Sequence, residues 1–225
     1  MSTIEPTRKD VQHPAQIKKY SAPLRLWHWA NTIVISGSLI TVLINSTLTE
    51  DHSTSSFMKD AFAKAGATVT ADQAKSVAHA LSDKTWEVHV YFGYALSALL
   101  LFRLIMEFFQ LADQKFIRKL KSAWHQFQTT KKNREVAKHE LTVKAIYSIF
   151  YVLLIIMVVT GLFLAFEDAL AAFKSMRHTV KNVHGFCMYL ILAFIAVHLA
   201  GVFLAERKNS KGIVSDMING GGEPY

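Results

Sequence analysis

At 225 residues the chain is long enough for one domain, and its hydrophobic share of 51 % beside 19 % charged residues implies apolar blocks separated by charged loops. The single cysteine, Cys187, excludes an internal disulfide, a cysteine-held zinc or iron–sulfur cluster and a Cys-x-x-Cys-His haem attachment. The formal net charge of +8 fits either nucleic-acid binding or the basic loops of a membrane protein, and its distribution decides between them.

Positions 26–49 hold no Asp, Glu, Lys or Arg over 24 residues. That is enough to cross a hydrocarbon core of about 30 Å at about 1.5 Å per residue. The stretch is too long for a signal-peptide core and no small-residue cleavage site follows it. A first span is predicted at about 23–49, with Pro23 tolerated at an early helical position. A long loop, about 46–85, follows. Its Ala63-Lys64-Ala65-Gly66 and Ala71-Asp72-Gln73-Ala74-Lys75 stretches predict short surface helices near 57–65 and 71–81.

The second span, about 86–110, is charge-free only from 88 to 102 and continues through Arg103 and Glu107. Alone it is a weak span with a buried core helix as the other reading, and its three cleaner companions make a bilayer the better context. The third span is predicted at about 141–166, where positions 146–166 lack charge over 21 residues, and the fourth at about 180–205, where 182–205 lack it over 24. The expected fold class is all-α, an integral membrane four-helix bundle, with 1–225 as one domain.

Basic residues orient the spans. The N-terminal segment, the second connection (Lys115 to Lys138) and the tail carry 16 Lys and Arg against 7 in the first and third connections. Both termini are therefore expected in the cytoplasm of a bacterial inner membrane. The charge needs no nucleic-acid partner to explain it.

Of the ten histidines, four fall in or at the edge of spans: His28, His89, His184 and His198. Ionisable residues in a membrane interior are costly and mark sites by default, although any one alone is also an ordinary hydrogen-bonded core histidine. His184 and His198 lie 14 residues apart, hence about 40° apart around one helix and about 21 Å apart along it. His28 lies early in the first span, at the cytoplasmic depth of His198. His89 lies early in the second, at the outer depth of His184. Two pairs result, His28 with His198 and His89 with His184. Each can clamp a porphyrin through two axial imidazoles, and a six-coordinate iron favours electron transfer over oxygen chemistry.

Gly93, Gly185 and Gly201 lie near these histidines and give a flat macrocycle room, or serve helix packing. Arg103, again 14 residues beyond its histidine, is expected to face the cytoplasmic-side haem as a propionate partner, or else to snorkel or pair with Glu107. Arg25 is a second candidate. Tyr20, Trp27, Trp29 and Trp86 read as interfacial anchors. His13, His52, His79, His125, His139 and His178 are expected in solvent, and Cys187 against helix neighbours.

The run Ser21-Ala22-Pro23-Leu24-Arg25-Leu26-Trp27-His28-Trp29 resembles the opening of the b-type cytochrome subunit of nickel–iron hydrogenases, within the cytochrome b561-like superfamily. So do His89-Val90-Tyr91-Phe92-Gly93 with Arg103 downstream, Thr160-Gly161, His184 with His198, and Met217-Ile218-Asn219-Gly220. Lys138-His139-Glu140-Leu141 stands where that branch often reads Gly-His-Asn-Pro. The resemblance implies a membrane anchor with two haem b groups. Electrons from an iron–sulfur small subunit of hydrogenase type would enter at His89/His184 and leave at His28/His198 to menaquinone or ubiquinone, with room for a homo-oligomer of the whole complex. Two other readings stand beside it. One is a free-standing oxidoreductase of the superfamily, passing electrons from superoxide or another small donor to quinone. The other is a haem-free channel or transporter bundle.

Overall fold

The computed structural model describes residues 20–47, 51–109, 116–129, 134–208 and 212–220. Among them every regular element is helical. The first helix, α1 (Ala22–Thr47), opens with the Arg25 N–H donating to Ser21 O at 3.1 Å. The short α2 (Asp51–Lys64) stops at Gly66, whose φ of 79° only glycine adopts without strain, and Ala67 N–H reaches back to Phe62 O at 2.9 Å.

The next helix departs from expectation. In place of a surface helix near 71–81 and a span starting near 86, α3 (Ala71–Phe109) is one rod of 39 residues. That is about 58 Å, nearly twice the thickness of a hydrocarbon core. A capping box starts it: Thr70 Oγ1 accepts from Gln73 N–H at 3.2 Å while Gln73 Oε1 accepts from Thr70 N–H at 2.9 Å. Ser82-Asp83-Lys84-Thr85 has the polarity of a loop but contains neither Gly nor Pro, so nothing interrupts the helix. The Lys84–Glu87 pair at 2.5 Å supports it there. Buried Ala74 and Ala78 let α2 lie closely along the first turns of α3. The two make a helical hairpin beyond one end of the bundle, hereafter the hairpin end.

The chain continues through α4 (Phe116–Thr129), α5 (Arg134–Ala165), a 3-10 turn at Ala171–Met176, α6 (Arg177–Lys208) and α7 (Ile213–Asn219). Four segments are long and apolar enough to cross a membrane: Ala22–Thr47, Ala71–Phe109, Leu141–Ala165 and Ala171–Arg207. α1 packs on α3, α3 on α5 and α5 on α6. The buried core is small. One cluster joins Trp27, Leu100 and Leu154; another joins Leu153, Cys187 and Ile191, with Ile35 of α1 packed against it. Most other apolar side chains on the spans, such as Ile33, Ile40, Val152, Val159 and Phe203, point outward. In water such a surface would aggregate; in a bilayer it is the face that lipid covers. The protein is an all-α membrane helical bundle.

Trp27 is not an interfacial anchor. It is only 6 % exposed, and its indole N–H donates to Leu99 O at 2.9 Å, tying α1 to α3. Trp29 and Trp86 do lie at the surface. At the end opposite the hairpin, the C-terminal segment folds back over the start of α1. Tyr20 N–H donates to Gly220 O at 3.0 Å, Trp29 Nε1–H to Met217 O at 3.1 Å, and the Arg25 guanidinium to Ile218 O. Glu206 at the end of α6 accepts from Gly212 N–H at 2.7 Å and Val214 N–H at 3.4 Å, which anchors α7. This is the closed end.

Candidate functional site: two levels of paired imidazoles

All four span histidines point into the bundle, and they meet in the two expected pairs. His28 of α1 faces His198 of α6 near the closed end, with ring centroids 6.3 Å apart. His89 of α3 faces His184 of α6 near the hairpin end, with ring centroids 6.4 Å apart. One face of α6 supplies a ring to each level because 14 residues are close to a whole number of turns. α6 packs on α5, and its two rings face the rings carried by α1 and α3. Between the levels lie the apolar side chains of Ile35, Cys187 and Ile191.

The surroundings of the pairs differ. At the hairpin end, His89 Nδ1 lies 2.9 Å from Thr41 Oγ1 and 3.3 Å from Ser38 Oγ, and His184 Nδ1 lies 2.8 Å from Thr160 Oγ1. Trp86 meets His89 edge-on at 5.3 Å. Gly161 touches His184: a Cβ there would sit 3.3 Å from His184 Cε1, so a larger residue would push the ring away from α5. At the closed end the neighbours are aromatic. Phe194 stacks on His198 at 5.8 Å and 7°, Tyr147 lies 6.3 Å from the same ring, and Trp29 meets His28 edge-on at 5.2 Å. His28 Nδ1 is buried without a hydrogen-bond partner, and so is Arg25 Nε.

Arg103 makes the Glu107 pairing that the sequence offered as the alternative to a propionate contact. It is buried among α1, α3 and α5, donates from Nε to Tyr151 Oη at 3.1 Å, pairs with Glu107 at 3.4 Å and lies over the Trp27 ring at 5.9 Å. Three groups thus already engage it. Gly93, Gly185 and Gly201 have open space where a Cβ would be, with nothing within 4 Å. His79, His125 and His178 are exposed; His13 and the side chains of His52 and His139 lie outside the described residues. Sequence reasoning passed over Ser38, Thr41 and the contact of Gly161 with His184. Hydroxyl residues in charge-free spans, two of them within four positions in α1, were the available signal.

An all-α membrane bundle with paired imidazoles at two depths is the architecture of a membrane cytochrome b. The chain matches the family model of prokaryotic cytochrome b561 over residues 19–220 and belongs to that family. Neither a curated protein nor a solved structure matches it. Membership makes it a multi-pass bacterial membrane protein with an electron-transfer role, and implies haem b.

The residues fit that group. A metal–imidazole bond of about 2.0–2.1 Å, plus about 1.1 Å from nitrogen to ring centre, puts two rings on opposite sides of one metal with centroids about 6.3 Å apart. The observed 6.3 and 6.4 Å agree with that separation. Ring planes 56° and 80° apart raise no objection, because each imidazole rotates freely about its metal bond. Among the described residues no three or more His, Cys, Asp or Glu side chains gather to hold a bare ion. Each pair offers two nitrogens, the number that a porphyrin leaves for axial ligands.

Proposed function

We propose that this protein carries electrons across the bacterial inner membrane through two haem b groups, from a donor on the outer side to the quinone pool. What supports this most is the pair of imidazole couples at two depths with centroid separations that suit a shared metal. His28 and His198 are the proposed axial ligands at one level, His89 and His184 at the other. When bound, each haem supplies a one-electron relay with no open coordination position.

The chain's own residues hold and orient these groups. Arg25, with a buried Nε lacking a partner, is the proposed propionate partner near the closed end. Arg103 is a second one, at the cost of loosening its contacts with Glu107 and Tyr151. The excess of Lys and Arg in the N-terminal segment, the α3–α5 connection and the tail supports a cytoplasmic closed end. Quinone, as menaquinone or ubiquinone, is then reduced on the His28/His198 side. The proposed donor is an iron–sulfur small subunit of hydrogenase type, docking at the hairpin end.

Haem stoichiometry on the detergent-purified protein, with whatever subunits travel with it, tests the reading. Two haems per chain and a co-purifying iron–sulfur subunit are expected. A colourless preparation overturns the cytochrome reading. Two haems with no partner subunit favour a free-standing oxidoreductase fed by a small donor.

A further inference from the structure

A histidine binds a metal through a nitrogen that bears a lone pair, and the bond made by its other nitrogen decides which one that is. Thr41 Oγ1 lies 2.6 Å from Ser38 O and 2.9 Å from His89 Nδ1. A carbonyl only accepts, so the one hydroxyl proton of Thr41 goes to Ser38 O. The threonine oxygen is then an acceptor toward His89, and Nδ1 must carry the proton. Thr160 repeats the arrangement, 2.6 Å from Ile156 O and 2.8 Å from His184 Nδ1. Both rings are left with Nε2 bare. The four spans thus meet at one level: α3 and α6 bring the rings, and α1 and α5 bring the oxygens.

A threonine in a membrane helix commonly returns its proton to the carbonyl one turn back, and Thr142 does only that, to Lys138 O at 2.8 Å. Thr41 and Thr160 differ in that the same oxygen also receives an imidazole N–H. We infer that Thr41 and Thr160 are positioning residues of the hairpin-end level, fixing the Nδ1–H tautomer of His89 and His184 and presenting both Nε2 lone pairs to one iron. The inference rests on the haem reading proposed above. A hydrogen bond from Nδ1–H makes the imidazole a stronger electron donor, which favours ferric iron. At the closed end His28 Nδ1 has no such bond.

Redox titration of the purified full-length holoprotein, with the two haems resolved, tests this. Thr160→Val and Thr41→Val are each expected to shift the reduction equilibrium of the His89/His184 haem up to about tenfold toward ferrous iron, about 59 mV for one electron. The His28/His198 haem stays where it was. Thr160→Ser, which keeps the hydroxyl, titrates like the unaltered protein, and Thr142→Val shifts neither haem. Loss of only the hairpin-end haem in the valine variants, with retention in serine, supports the same role. Unmoved potentials in valine variants that keep both haems overturn it, as does a serine variant that behaves like valine. Should the valine variants fail to accumulate, the histidine ring bands in redox-difference infrared spectra of the unaltered protein decide. Hydrogen-bonded Nδ1–H supports the role and Nε2–H overturns it. An unaltered protein that binds no haem refutes the haem reading instead.

Discussion

The two imidazole levels are alike in ring spacing and unlike in everything around them. At the hairpin end, hydroxyls from α1 and α5 grip both rings and Gly161 lets His184 settle against α5. At the closed end the rings sit among Phe194, Tyr147 and Trp29, with His28 Nδ1 and Arg25 Nε unpartnered. One level has its orientation set by hydrogen bonds from helix backbones outward. The other is shaped by flat, non-directional contacts and keeps polar atoms in reserve. The difference teaches that the same ring spacing can be reached by two kinds of support, and that the second leaves polar atoms available to another group.

The largest expected effect separates the levels outright. His198→Ala should halve the haem content by emptying the closed-end level while sparing His89/His184, as read by a haem-to-protein ratio with spectra of each haem. Loss of only the hairpin-end haem would refute the pairing. Next, His28→Ala should abolish reduction of added quinone, because that level lies on the proposed quinone side; undiminished quinone activity would count against the direction of flow.

Arg103→Met should cost about 2 kcal/mol of stability, since it removes the cation that pairs with Glu107 and donates to Tyr151 Oη in a part-buried setting. The Arg103 side chain is 8 % exposed and that of Glu107 22 %, which holds the figure below that for a fully buried pair. Thermal unfolding in detergent measures it. Retention of both haems would mark Arg103 as a structural brace, and loss of the closed-end haem as a propionate partner. The smallest effect is expected for Gly161→Ala. A Cβ 3.3 Å from His184 Cε1 displaces the ring slightly, and the overpacking of about 1 kcal/mol is partly offset by the better helix propensity of alanine. Heat-driven haem release should begin earlier at the hairpin-end level only; equal release from both levels would show that the glycine serves helix packing.

Three of the spans were legible because charge-free runs of 20 or more residues have one economical explanation, and the second, charge-free only over 88–102, was read from their company. The histidine pairing was legible because a spacing of 14 residues is nearly periodic in an α-helix. What stayed hidden depended on partners from other helices. Trp27 stands next to a span boundary in the sequence, where a tryptophan normally anchors at the interface, but the backbone carbonyl of Leu99 draws it inward. Ser82 to Thr85 carry the polarity of a loop, and only the lack of a helix breaker, with the capping box at Thr70, reveals that α3 runs through them. For Arg103 the register allowed a haem contact or the pairing with Glu107; what it did not reveal is Tyr151 of α5 and the Trp27 ring. Thr41 and Thr160 stand out in the sequence only as hydroxyls within charge-free spans, since their meaning lies in which ring they face.

The layer of Ile35, Cys187 and Ile191 between the two levels has a consequence for energy conversion. An electron tunnels through such hydrocarbon, whereas a proton or a hydrated ion would have to shed its water there at a cost of several kcal/mol or more. With haem at both levels, as proposed, that stratum would pass electrons while holding back protons and ions.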